Sequence, residues 1–260
     1  MNADLMDIAR QFIQNRVKSK EIVGILLRGS SVIGVHDKYT DLDFDLVVAD
    51  EFLNRMRPTA DETLIEGVEV CWGYKSPESI EAELHDWLRD TDLWAYSVAK
   101  IMYDPLDKLK TLLSQHKQYP ESVRLEKLFS YFYHATAASP YNSDKAICRN
   151  EFSTAQLFLV NAAELYTAIV YLINKSFIPY RKWRIHQIEK LSWKPHNLVE
   201  RITNVLFSEG SPTREILREK QETLVQIMNE IKPKLIEEGV APQKLGDDLW
   251  RYEPQYLSSI

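Results

Sequence analysis

The chain has 260 residues, 45% hydrophobic and 27% charged, with a formal net charge of −6. That is the balance of a globular protein with room for one large domain or two modest ones. The negative sign argues against general affinity for nucleic acid, which needs many Lys and Arg to displace phosphate counterions. The 13 Tyr and 6 Trp supply ample ring surface for a core. Cys71 and Cys148 have no metal-ligand spacing and read as free thiols in a reducing compartment. The N-terminus lacks the form of a signal peptide, and no run of about 18 apolar residues is free of charge. The expectation is a cytoplasmic protein with no membrane span.

In chain order, Leu5, Ile8, Ala9, Phe12, Ile13 and Val17 recur at helical spacing. Ile22 to Leu27 is a short apolar run that ends at Arg28-Gly29-Ser30, a buried strand entering a turn. Ser31 to Thr40 is polar and turn-rich. Leu42, Phe44, Leu46 and Val48 then alternate with Asp41, Asp43 and Asp45, which is strand periodicity with carboxylates on one face. Thr63–Glu66 and Val68–Tyr74 flank Gly67 as a hairpin or bulged pair. Pro77 opens a helix expected to reach Leu88, and Leu93–Lys100 reads as another. Ile101–Tyr103 reads as a short edge strand. Beyond Pro120 the period is helical almost throughout. Lys145 to Asn174 contains neither Gly nor Pro and predicts a single central helix of about 40 Å. The expected fold class is α+β. A sheet-bearing α/β domain with flanking helices spans residues 1–118, and a helical bundle spans residues 119–260. With no flexible linker visible, the two parts are expected to pack tightly and share a cleft.

The chemistry sits in one ordered set: apolar strand, Gly29-Ser30, polar loop, then Asp41-Leu42-Asp43 opening an apolar strand. Glycine lets backbone approach phosphate closely, and the turn's N–H groups with the Ser30 hydroxyl can donate to its oxygens. Alternate strand residues point the same way, so Asp41 and Asp43 stand about 6–7 Å apart along the chain. Such paired charge is costly until a hard divalent cation offsets it. Mg2+ or Mn2+ is therefore the expected metal, on Asp41 and Asp43. Glu69 is the preferred third metal donor; an exposed hairpin glutamate is the other reading. Asp45 is either a further ligand or a polar residue deeper in the strand.

Leu27-Arg28-Gly29-Ser30 and Thr40-Asp41-Leu42-Asp43-Phe44 together resemble the signature of the DNA polymerase beta-like nucleotidyltransferase superfamily. The helical second half is similar to that of bacterial antibiotic nucleotidyltransferases, which modify aminoglycosides or lincosamides, and their relatives. The stretches Asp92-Leu93-Trp94 to Tyr103-Asp104-Pro105 and Pro179 to Trp183 share that likeness. The resemblance implies a mixed sheet bearing the metal aspartates and a helical domain closing a nucleotide cleft. One departure stands out: the family's third acid usually lies in an Asp-rich strand, whereas Glu69 here is followed by Cys71.

Further candidates are less constrained. Glu164, on the most apolar helix, is either a base for an acceptor hydroxyl or half of an ion pair. Lys175, Arg181 and Lys182 either hold the β- and γ-phosphates, Lys182 foremost, or form a solvated helix end. Tyr171 reads as core more than as a base-stacking ring. Arg28 either points at phosphate or pairs with the aspartates, and His36 and Asp37 read as loop residues. Two functions follow. One is an enzyme that takes a nucleoside monophosphate from ATP or another NTP to a hydroxyl of a small molecule, an antibiotic among the options. The other is a nucleotide-binding regulatory or antitoxin-like module acting on a protein or RNA partner. Oligomeric state, base preference and acceptor identity have no sequence signal.

Overall fold

The computed structural model describes residues 5–53, 55, 61–207, 210–252 and 254. The chain divides into two compact units, Met1–Lys117 and Gln118–Ile260.

The first unit runs α1 (Leu5–Arg16), β1 (Ile22–Arg28), β2 (Leu42–Val48), α2 (Asp50–Leu53), β3 (Asp61–Ile65), β4 (Val68–Lys75), α3 (Pro77–Leu84), α4 (Asp90–Val98), β5 (Lys100–Tyr103) and α5 (Lys108–Ser114). Its five strands form one mixed sheet in the order β3-β4-β2-β1-β5. Only β2 and β4 run parallel; the other pairs are antiparallel. The period-two pattern of β2 decides which way it faces. Leu42, Phe44, Leu46 and Val48 are buried with Val70, Trp72 and Ile25 against Ile8, Ala9 and Phe12 of α1. Phe12 stacks on Phe44 at 4.8 Å between ring centroids. The opposite face carries Asp43, Asp45 and Val47, of which Asp45 and Val47 are buried as well.

Local signals place the remaining elements. Glu66 and Gly67 both have positive φ, 51° and 83°, the backbone of a tight two-residue hairpin turn. Pro77 occupies the first turn of α3, and Ser76 and Ser79 cap it reciprocally. That helix ends at Leu84 with His85 as its cap, earlier than the expected Leu88. Lys100 opens β5 rather than closing α4. β5 lies at the sheet edge, as its length and position in the sequence predict.

The second unit is helical: α6 (Glu121–Thr136), α7 (Ser143–Cys148), α8 (Phe152–Ile173), α9 (Arg181–Ile188), α10 (Leu198–Leu206) and α11 (Arg214–Glu237). The single helix expected over Lys145–Asn174 is in fact broken. Asn150 takes φ 62°, a left-handed conformation that Asn tolerates, and separates α7 from α8. By length and composition α8 could cross a membrane, yet 67% of its most apolar window is buried inside the protein. It is the core helix of its unit, touching α6, α7, α10 and α11. The observed architecture is the α+β class expected from the sequence.

Candidate nucleotide and metal site

The turn after β1 is built around a glycine that no other residue can replace without strain. Gly29 has φ 79° and ψ −157°, and a Cβ placed on it would overlap the Asp43 carboxylate. Ser30 is buried and begins a short 3-10 turn, Ser30–Ile33. Its hydroxyl donates to Asp41 Oδ1 at 3.4 Å. The rest of the loop closes on itself. The Asp37 and Tyr39 N–H groups donate to Thr40 Oγ1 and Asp37 Oδ1, and His36 Nε2 lies 3.1 Å from the Ser31 carbonyl. His36 and Asp37 are therefore loop residues. Gly29, Ser30, Asp41 and Asp43 form one contiguous group at the end of β1 and the start of β2.

Asp45 takes another role. It is 1% exposed, and its Oδ1 accepts from Arg28 Nη2 at 2.8 Å. The β1–β2 register explains the pairing: Arg28 lies opposite Asp43, so its side chain reaches the next same-face position diagonally. Burial pushes the Asp45 carboxyl up to about 6, against the opposing pull of the Arg28 and Lys75 charges. Asp45 Oδ2 has no hydrogen-bond partner among the described residues. Arg28 also lies over the Tyr96 ring at 5.5 Å. The Tyr96 hydroxyl donates to Glu83 Oε2 at 2.6 Å, and Glu83 pairs with Lys75. Burial raises the Glu83 carboxyl, but the Lys75 and Tyr96 hydrogen bonds outweigh it and hold the group below its ordinary value. Of the alternatives open to Arg28, the structure shows the contact with an aspartate, and that aspartate is Asp45.

Glu69 is exposed on β4, on the same face as Cys71, whose thiol donates to Glu69 Oε1 at 3.6 Å. In the parallel β2–β4 register, Cys71 lies directly opposite Asp43. Continuing that register one residue back sets Asp41 alongside Glu69. Across the hairpin, Glu62 pairs with Cys71. One ligand atom from each of Glu62, Glu69 and Cys71 falls within 4.8 Å of the others. Burial pushes the Cys71 thiol up to about 11, with the charges of Glu69, Asp43 and Asp41 adding to the rise. Sequence reasoning did not name Glu62, and it read Cys71 only as a free thiol without metal-ligand spacing, which it is among the described residues. Their signal was the hairpin itself, since period two across Gly67 puts both on the Glu69 face.

The remaining candidates belong to the helical unit. Glu164 on α8 accepts from Arg181 Nη2 at 2.8 Å, the ion pair that was one of its two readings. Lys175 is exposed just past the end of α8, with φ 55°. Lys182 is exposed on α9, its Nζ 5.5 Å from the Trp183 ring centroid. Tyr171 is buried, and its hydroxyl donates to the Arg184 carbonyl at 2.6 Å, so it is a core residue.

Comparison with known proteins bears on the fold. Residues 87–184 match the family model described as a domain of unknown function, DUF4037. No curated protein matches the chain. Among solved structures, a nucleotidyltransferase-like protein from Exiguobacterium sibiricum is similar over 90% of this chain and 78% of its own, with a TM-score of 0.52 and 12% identity. The chain thus has a nucleotidyltransferase-like fold.

Proposed function

We propose that this protein is a nucleotidyltransferase that moves a nucleoside monophosphate from ATP or another NTP to a hydroxyl of a small molecule. The observation that carries the reading is the closure of the Gly29–Ser30 turn directly on the Asp41 and Asp43 carboxylates. The donor set suits Mg2+ or Mn2+, since it consists of hard carboxylate oxygens gathered beside a glycine whose missing Cβ makes room for the Asp43 carboxylate. Asp41 and Asp43 would hold the ion, with Glu69 as third donor. Once bound, it would neutralise the triphosphate and the charge developing in the reaction.

The chain's own groups have defined tasks in this scheme. The Ser30 hydroxyl and the turn amides donate to phosphate oxygens and fix the triphosphate's register. Arg28, braced by Asp45 and Tyr96, keeps the end of β1 rigid behind the turn. A cytoplasmic location belongs to the same proposal. Incubation with labelled NTPs, Mg2+ or Mn2+ and panels of hydroxylated acceptors, antibiotics included, tests the reaction. Label transferred by the wild type and not by Asp43→Asn supports it. Absence of both transfer and nucleotide binding refutes it.

A second reading rests on a specific feature: the position opposite Asp43 carries a thiol instead of a carboxylate. On that reading the fold binds nucleotide without transfer and regulates a protein or RNA partner. Metal-dependent nucleotide binding with no turnover, together with a stoichiometric partner, would favour it.

A further inference from the structure

We infer that His85 and His116 form a two-imidazole site for a late first-row divalent ion such as Ni2+, Cu2+ or Zn2+. The two rings come from different helix ends of the first unit. His85 caps the C-terminus of α3, and His116 lies just beyond α5. Their Nε2 atoms are 3.3 Å apart, and the ring centroids are 4.6 Å apart at 79°.

The tautomers follow from the other nitrogens. His85 Nδ1 lies 2.8 Å from the Glu81 carbonyl, and His116 Nδ1 lies 3.1 Å from the Leu112 carbonyl. A carbonyl oxygen only accepts, so both Nδ1 atoms carry the proton. In neutral rings both Nε2 atoms then present lone pairs to one another. Two lone pairs at that separation repel unless a proton or a metal ion lies between them.

Three observations favour the metal. With Zn–N bonds of about 2.0–2.1 Å and a tetrahedral angle, two bound imidazole nitrogens lie about 3.3–3.4 Å apart, the separation found here. A ligating histidine usually donates its second ring N–H to a carbonyl or carboxylate, and both rings already do so. The ends of two helices meet here as well, and their partly negative carbonyls favour a cation. Imidazole suits Zn, Ni and Cu rather than Mg or Ca, so the site selects a different class of ion from the carboxylates of β2. The rings are reachable from solvent, leaving the other coordination positions to water or to a donor from a ligand.

Trp87 supplies a built-in reporter, with its ring 6.3 Å from His85 and 6.5 Å from His116. The test uses the full chain carrying Cys71→Ser, so that the thiol does not compete for the metal. Titration with NiCl2 by calorimetry is expected to show a stoichiometric site that excess MgCl2 does not displace. Ni2+ and Cu2+ should quench Trp87 fluorescence, and Trp87→Phe should remove the quench while leaving the heat of binding. His85→Gln and His116→Gln, checked for unchanged far-UV circular dichroism, should each lower Ni2+ affinity by more than the roughly 10–100-fold typical of losing a supporting partner. Equal Ni2+ affinity in the parent and both variants would overturn the proposal, as would quenching that persists in them. A shared proton in place of a metal would show as absent Ni2+ binding, and that result also overturns it.

Discussion

Gly29 and Asp43 meet so closely across the end of the β1–β2 ladder that one hydrogen in place of a methyl group keeps the carboxylate where it is. The contact joins the phosphate-facing turn to the metal-facing strand. Gly29→Ala therefore has two faults, a Cβ in the left-handed region and an overlap with Asp43 Oδ2. It is expected to cost about 1–3 kcal/mol of stability. Mg2+-dependent nucleotide binding should fall with it. Urea denaturation and calorimetry with ATP measure the two effects, and a variant of wild-type stability and affinity would remove the turn from the site.

Asp43→Asn keeps the shape of the side chain and removes its charge. Stability should stay within about 0.5 kcal/mol, because the residue is only half-buried. Nucleotide binding with Mg2+ should weaken and transfer should stop. Glu69→Gln and Glu62→Gln then rank the acids of the hairpin. Glu69→Gln is expected to weaken Mg2+-dependent nucleotide binding by at least about tenfold, as loss of a ligand or its support does. Glu62→Gln should have the smaller effect, and the reverse order would transfer the third-donor role to Glu62.

Cys71 offers a readout that needs no turnover. Its thiol is pushed up to about 11 by burial and by the acids around it. Alkylation at pH 8 is expected to be at least about tenfold slower at Cys71 than at the exposed Cys148, since the thiolate is the nucleophile. Adding Mg2+ should change the Cys71 rate and leave that of Cys148 alone, because the ion would offset the charges of Asp41 and Asp43. Peptide mass mapping after timed alkylation gives both rates. Insensitivity of Cys71 to Mg2+ would place the ion away from β2.

Asp45 gives a pH dependence of definite sign. Its folded-state value, about 6, exceeds its ordinary 3.8. The folded state therefore holds the proton more tightly. The stabilisation is complete below the ordinary value and is lost as pH rises through about 6, a term of up to about 3 kcal/mol. Glu83, held below its ordinary value, contributes the opposite slope. The informative quantity is thus the difference between wild type and Asp45→Asn. From pH 4 to pH 7 the wild type should lose stability relative to the variant. A difference that stays flat in paired denaturant titrations would contradict the assignment.

In the helical unit, Arg124 is the charge to remove. It is 1% exposed, donates to the Leu172 carbonyl at 3.0 Å and pairs with Glu121 and Glu238. Arg124→Ala takes one donor from the Leu172 carbonyl, which keeps the Lys175 N–H, and leaves Glu238 with Lys234 at 4.0 Å. It is expected to destabilise the protein by about 1–3 kcal/mol, the loss of a buried, hydrogen-bonded side chain whose partners keep other contacts. Thermal denaturation of the full chain tests this, and a loss under about 1 kcal/mol would mean that water satisfies those groups.

Most of the sheet was legible because its signals are local. The alternation from Asp41 to Val48 sets the bounds of β2, Gly67 marks the hairpin, and Ser76-Pro77 starts α3. What escaped depends on register between distant segments. Arg28 finds Asp45 only once β1 and β2 are paired, and Cys71 comes opposite Asp43 only through a parallel pairing that no short-range pattern announces. The break at Asn150 escaped for a different reason. Asn is an ordinary helix residue that also tolerates a left-handed backbone, so its sequence context reads as continuous helix. His85 and His116 are brought together only by the packing of two helix ends.

The place of β2 in the order β3-β4-β2-β1-β5 divides the site by how its parts open to solvent. Asp43 belongs to, and Asp41 directly precedes, a strand laddered on both sides, whose amides should exchange with deuterium only when the whole unit unfolds. Glu62 sits on β3, an edge strand exposed along most of its length, whose amides should exchange by local fraying at far lower free energy. Asp41, Asp43 and Glu69 are thus held by interior strands, and only Glu62 comes and goes with the edge. Ligand-dependent slowing of exchange should accordingly be concentrated in β3.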